Sequence, residues 1–324
     1  MEADDEYESL PDHVPASTHM MAGAGAGIAE HCLMYPVDVV KTRMQSVQPN
    51  PRARYRNVLD ALMKIVKYEG AARPFKGMSV MVVGAGPAHA MYFACYEKMK
   101  RVISGTENGS KRPLAQASAG VMSTLLHDAV MNPADVVKQR LQMYGSPYAN
   151  VMHCIRETHR REGLKAFYRS YGTQLLMNVP FQAMHFVMYE AMTEMTNKDR
   201  RYNPAAHMIS GAVAGGTASA ITNPFDVCKT LLNTQETADF GSVKKSRVKG
   251  LFQAASTIYN CCGFRGFFQG LQARVAVAVP STAIAWSVYE LFKYLLIQRS
   301  SANSISSTSV KCDAPISPVI KDVV

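Results

Sequence analysis

The sequence predicts an all-α membrane protein. Six transmembrane helices fall into three pseudo-symmetric repeats of about 100 residues, each with a short amphipathic helix. Three observations predict this. One motif occurs three times, at Pro36, Pro133 and Pro224, so successive copies stand 97 and 91 residues apart. Gly77–Tyr96, Ser170–Tyr189 and Tyr202–Phe225 run without Asp, Glu, Lys or Arg, and each is long enough to cross the hydrocarbon as a helix. The mean hydropathy of −0.08 is low for a bundle facing lipid on all sides and suits helices around a water-filled path.

The elements follow in order. Met1–Pro11 holds Glu2, Asp4, Asp5, Glu6 and Glu8. A mitochondrial presequence is basic, and a secretory signal needs an apolar core near its start, so residues 1–16 read as an acidic, solvated tail. The first repeat takes residues 17–108. Gly23 and Gly27 give its first helix a small-residue stripe for close helix approach. A phosphate-binding loop there is disfavoured, because no Gly-Lys-Ser/Thr ending follows. The helix runs into Pro36-Val-Asp38-Val-Val-Lys41-Thr-Arg43-Met-Gln45. Then come a basic loop, Glu69-Gly70, Phe75-Lys76-Gly77, and a second helix with Pro87 and Tyr96-Glu97.

The second repeat, residues 109–201, carries Pro133-Ala-Asp135-Val-Val-Lys138-Gln-Arg140-Leu-Gln142, Glu162-Gly163, Tyr168-Arg169-Ser170, Pro180 and Tyr189-Glu190. The third, residues 202–298, carries Pro224-Phe-Asp226-Val-Cys-Lys229-Thr-Leu231-Leu-Asn233, Cys262-Gly263, Phe268-Gln269-Gly270, Pro280 and Tyr289-Glu290. Residues 299–324 are Ser-rich with two prolines and read as a disordered tail.

Composition narrows the class. At 48% hydrophobic and 19% charged, the body of the chain cannot be intrinsically disordered. The net charge of +10 admits nucleic acid, anionic lipid or an acidic substrate as partner. Seven cysteines, an odd number with no C-x-x-C pair, argue against a secreted disulfide scaffold and a structural zinc site.

Pro-x-Asp-x-x-Lys-x-Arg, then Glu-Gly and aromatic-Lys-Gly, three times over, resembles the mitochondrial carrier family. The resemblance covers about Ser17–Gln298. Departures are single positions: Leu231 for a base, Cys262 for an acid, Ser170 for glycine, Gln269 for a base. The resemblance implies a transporter, not an enzyme, in the mitochondrial inner membrane, with the amphipathic helices on the matrix side and both termini in the intermembrane space. The loops 48–76, 144–169 and 234–269 hold about half of the 35 Lys and Arg, as expected on the side from which charge is not translocated. The charge is then explained without nucleic acid, and basic helix starts would attract cardiolipin and other inner-membrane lipids.

A charge inside a span must be paired or hydrated. The resemblance implies a matrix gate of Asp38 with Lys138, Asp135 with Lys229 and Asp226 with Lys41, braced by Gln45 and Gln142. It implies a cytoplasmic gate of Glu97, Lys100, Glu190, Glu290 and Lys293. This gate is expected to be the weaker, because Thr193 stands where the second repeat needs a base.

Seven residues return a helix almost to the same face. His31, Asp128 and Ser219, each seven before a motif aspartate, form one expected pore layer. His89, Gln182 and Thr282, each seven before a Tyr-Glu pair, form another. The family's contact region here reads Gly84-Ala85, Met177-Asn178 and Val277-Ala278, without Lys or Arg. That disfavours nucleotide, phosphate or dicarboxylate substrates. Arg274, deeper toward the matrix, is read as structural, and His127 as a structural or solvated histidine.

Imidazole, thioether and amide groups are offered instead: His31, His89, Met177 and Asn178, with Met91, Met184, His185, Asp128 and His127 nearby and His207 near the outer mouth. Such a set suits a loosely held first-row metal ion. These segments resemble the iron-importing branch of the family. The resemblance implies Fe(2+) as transported substrate with no permanently bound cofactor, delivered for haem and iron–sulfur cluster synthesis, with haem-synthesis enzymes as partners. Copper or manganese, an organic metabolite, or a non-transporting scaffold are the alternatives. The ligand types alone do not separate Fe(II) from Mn(II), Co(II) or Cu(I).

Overall fold

The computed structural model describes residues 16–47, 53–104, 112–197, 204–235 and 248–281. The two tails lie outside the described residues. No strand occurs among those described.

Helix α1, Ala16–Met44, holds Pro36 within it. The amphipathic α2, Val58–Glu69, follows, then α3, Met78–Ser104, which holds Pro87. The second repeat has α4, Arg112–Gln142, with Pro133; α5, Val151–Glu162; and α6, Tyr171–Thr196, with Pro180. In the third repeat the first span is broken at Thr222 into α7, Pro204–Ile221, and α8, Asn223–Thr234. Helix α9, Leu251–Cys262, follows, and α10 is described over residues 271–281. Proline inside a helix removes one backbone bond and crowds the preceding turn, so Pro36, Pro87, Pro133 and Pro180 each weaken the helix that holds them.

Hydropathy alone singles out one stretch among the described residues, Arg73–Tyr96, with a mean of 1.3. The other spans carry the Pro-x-Asp-x-x-Lys segments or more polar faces, and their charge is satisfied inside the bundle.

The amphipathic helices are built alike. Asn57 and Asn150 cap α2 and α5, each side-chain oxygen accepting from a backbone N–H three residues on at 2.8 Å. Gly70, Gly163 and Gly263 end the three helices with φ of +100°, +78° and +63°, a conformation glycine adopts without strain. Each helix buries an i, i+4 pair: Ala61 and Ile65, Cys154 and Thr158, Ala254 and Ile258. These pack on the end of the preceding span, giving one apolar cluster per repeat around Val39 and Val40, Val136 and Val137, and Val227 and Leu231. Burial pushes the Cys154 thiol up to about 11, so it acts as a small apolar side chain. The residue before each motif proline closes the repeat: Tyr35 donates to the Lys76 carbonyl at 2.9 Å, Asn132 to Phe167 at 2.5 Å and Asn223 to Phe267 at 2.8 Å.

Candidate functional site

At the end of the bundle bearing the amphipathic helices, three ion pairs join the repeats in a cycle. Lys138 Nζ lies 2.7 Å from Asp38 Oδ2, Lys229 Nζ 2.8 Å from Asp135 Oδ2, and Lys41 Nζ 2.9 Å from Asp226 Oδ2. The three-residue spacing presents an acid to one neighbour and a base to the other. Their side chains are between 6% and 25% exposed, so the attraction acts in a poorly solvated layer, where an unmatched charge would be costly. Lys138 also lies 5.4 Å from the centroid of the Tyr35 ring.

The two glutamines differ. Gln45 donates to Asp226 Oδ2 at 2.6 Å and accepts from the Thr230 hydroxyl at 2.9 Å. Gln142 accepts from the Thr42 hydroxyl at 2.8 Å. Below them, Arg43 is held by both oxygens of Glu69 and donates to the Gln142 carbonyl at 2.8 Å. Arg140 pairs with Glu162 and donates to the Asn233 carbonyl at 2.8 Å. Each arginine thus ties its own amphipathic helix to the next repeat.

Above the ring opens a cavity of about 450 Å³, whose walls include Met177, Asn178, Gln182, Ser219, Arg274 and His185. Lys41, Lys229 and Asp226 form its floor. The sequence reading takes Arg274 as structural and names His185 only as a neighbour of the expected ligands. Arg274 reaches Asp226 at 3.5 Å, donates to the Thr222 hydroxyl at 2.8 Å, and lies 3.6 Å from the Met177 sulfur. His185 lies seven residues after Asn178 on α6, a phase that signals the shared face. Its ring stacks between Phe181 and Tyr189, and Tyr189 meets His207 Nδ1 at 2.7 Å.

His31, His89 and Asp128 are not on this wall. Met91 is 39% exposed on α3 and Met184 half-buried on α6. Asp128 accepts from Asn178 at 2.6 Å, and Asn178 in turn accepts from Gln174 at 3.0 Å. His89 sits with its ring centroid 5.1 Å from that of His127, and its Nε2 is buried without a hydrogen-bond partner. His127 Nδ1 lies 3.4 Å from Asp128 Oδ1. Among the described residues no three His, Cys, Asp or Glu side chains gather as a metal cage would. Of the residues expected at the opposite gate, Glu190 is exposed. The side chains of Glu97 and Lys100, and the segment with Glu290 and Lys293, lie outside the described residues, as does Thr282.

The family model described as "Mitochondrial carrier protein" matches three times, over residues 12–107, 109–200 and 200–300. The chain belongs to the mitochondrial carrier family. It is therefore an all-α membrane protein with six transmembrane helices in three repeats, of the mitochondrial inner membrane. Among mitochondrial carriers it is similar to Mitoferrin-2 of Homo sapiens, at 57% identity over 91% of this chain and 81% of that protein. Mitoferrin-1 of Danio rerio is also 57% identical, over 92% of this chain and 90% of that protein. Mitoferrin of Caenorhabditis briggsae is 50% identical, over 90% of this chain and 96% of that protein.

Proposed function

We propose that this carrier imports ferrous iron across the mitochondrial inner membrane into the matrix by alternating access between two ion-pair gates. One observation carries the reading: every cation lining the cavity already contacts a carboxylate, Lys41 and Arg274 sharing one of the two. Lys41 and Arg274 face Asp226, and Lys229 faces Asp135. The polar groups outside these pairs are neutral: the amides of Asn178 and Gln182, the imidazole of His185, and the Ser219 hydroxyl. An anionic metabolite meets only bases already engaged with carboxylates, whereas a weakly held divalent ion finds nitrogen and oxygen donors. The similarity to proteins named mitoferrin, over nine-tenths of the chain, supports the same reading.

The Asp–Lys cycle is the matrix gate. Its closure leaves the cavity open toward the intermembrane space, where both termini lie, and the basic loops face the matrix. His31, His89 and His207 mark the metal path, with Met177 and Asn178 between them. The membrane potential drives a dication inward by roughly 4.6 kcal/mol per 100 mV, twice the single-charge value. Tight coordination would oppose release, so stops made of few ligands suit the task. Cardiolipin binds at the basic matrix loops, and enzymes of haem synthesis receive the iron. Uptake of Fe(II) by the purified protein in liposomes, with Mn(II), Cu(I) and a nucleotide as competitors, tests the reading. Accumulation of the nucleotide instead of the metal would overturn it.

A further inference from the structure

Between α3 and α4 two imidazoles face each other with a partner missing. The His89 Nε2 is buried and bonds to nothing, although an unsatisfied buried nitrogen carries a desolvation cost. The His127 ring stands 5.1 Å away, tilted by 50°, so the two rings are not packed flat for their own sake. Two imidazoles that ligate one tetrahedral ion, with nitrogen–metal bonds of about 2.1 Å, hold their ring centroids about 5 Å apart.

The other side of His127 matches the same chemistry. A ligating histidine typically points its second ring nitrogen at a carboxylate, which fixes the tautomer and raises the basicity of the free nitrogen. His127 Nδ1 faces Asp128 Oδ1 at 3.4 Å, and the other Asp128 oxygen is held by Asn178 at 2.6 Å, itself held by Gln174 at 3.0 Å. A chain of polar contacts therefore runs from the cavity wall, where Asn178 and Gln174 stand, to the back of His127.

We propose that His127 is a ligand for the transported metal: its Nε2 and the Nε2 of His89 hold one divalent ion between α3 and α4, and Asp128 positions His127 from behind. Asp128 is then a positioning residue rather than a ligand. Two protein ligands, with water completing the shell, make a stop that an ion can leave. The inference rests on the reading of the chain as a metal carrier, and its test separates the two.

The purified carrier is titrated with Co(II), whose visible absorption reports nitrogen ligation, and Fe(II) uptake is measured in liposomes. His89→Gln and His127→Gln are each expected to lose the nitrogen-ligated spectrum and to raise the half-saturating Fe(II) concentration about tenfold, and the double variant no more than either alone. Asp128→Asn is expected to weaken Co(II) binding about tenfold while keeping the two-nitrogen spectrum. His127→Cys, which supplies a soft ligand in the same place, is expected to make uptake more sensitive to block by Cd(II) than in the wild type.

A His127→Gln variant with wild-type spectrum and half-saturation, or losses that multiply in the double variant, would overturn the proposal. So would a His127→Cys variant with unchanged Cd(II) sensitivity, which also covers the case in which the glutamine variant does not fold. A wild type that ligates Co(II) through both histidines yet carries no iron leaves the site standing and removes the proposed function. A wild type that carries iron with no contribution from His127 does the reverse.

Discussion

Leu231 and Cys262 lie in one apolar cluster at the place where each of the other two repeats sets an arginine against a glutamate. Leu231 is in register with Arg43 and Arg140, and Cys262 with Glu69 and Glu162. Taken singly, each looks like a lost contact. Together they exchange both halves of an ion pair for apolar groups, which is close to neutral, whereas losing one half strands a buried charge. The arginines also tie the first repeat to the second and the second to the third. At the seam from third to first, Gln45 bonds both Asp226 and Thr230, and Cys262 donates to the Val47 carbonyl at 3.2 Å.

This equivalence makes an expectation for the second repeat. Glu162→Cys strands Arg140, whose side chain is 3% exposed, and Arg169 beside it. The single variant is expected to lose about 3 kcal/mol of stability. Adding Arg140→Leu, which copies the third repeat, is expected to restore part of that loss. Unfolding of the purified variants in detergent measures both. A double variant as unstable as the sum of the two singles contradicts the equivalence.

The same glutamate sets an acid limit. Burial works against the Glu162 charge, but the hydrogen bond and charge of Arg140, with Arg169 beside it, outweigh burial and hold its pKa below the ordinary value. A lowered folded-state pKa stabilises the protein above the unfolded value, near 4.3 for glutamate, and that contribution fades as pH falls through the folded value. The stability gap between wild type and Glu162→Gln is therefore expected to be constant from about pH 7 to 5 and to shrink below about pH 4. A gap that widens on acidification reverses the sign and rejects the assignment.

The triple motif gave away the architecture because three copies of one spacing leave few ways to fold. Asp38, Asp135 and Asp226 each precede a lysine by three residues, which is enough to mark the cycle. Within one helix, phase arithmetic also reaches Gln182 and Ser219, and the family's contact region marks Met177 and Asn178, all of which line the cavity. It does not reach contacts between helices. His127 meets His89 because α3 and α4 pack side by side, and no periodicity along either helix encodes that. Arg274 reads as structural from its depth, but no periodicity shows that its long side chain reaches Asp226 across the bundle. The Ser170 departure also becomes intelligible. Its φ is −89°, so glycine is not required, and its hydroxyl donates to Asn132 Oδ1 at 3.2 Å.

If the Asp–Lys cycle is the matrix gate, its members act as pairs. Asp38→Ala or Lys138→Ala is expected to lower uptake at least a hundredfold, about 2.7 kcal/mol or more in the transport barrier, while Co(II) binding persists. Exchanging the two, Asp38→Lys with Lys138→Asp, keeps the 2.7 Å attraction with reversed polarity and is expected to recover part of the rate. Uptake at the wild-type rate in either single variant shows that the ring is a static structural bond.

Gly270 offers a way to disturb that ring without touching a charge. Its φ is +71°, and a Cβ placed there would stand 2.6 Å from Gln45 Cγ and 3.1 Å from the Gln45 nitrogen. Gly270→Ala therefore carries two costs: backbone strain of about 1–2 kcal/mol in the left-handed region, and a clash with the side chain that bonds Asp226 at 2.6 Å. The variant is expected to be destabilised by more than the strain alone and to transport differently from wild type, because Gln45 must leave Asp226. In a Gln45→Ala background the Cγ is gone, so the same substitution is expected to cost less. A double-mutant cycle in unfolding free energy isolates the coupling. Equal costs in both backgrounds mean that the Gly270 turn acts through its backbone alone and that Gln45 is not pressed against it.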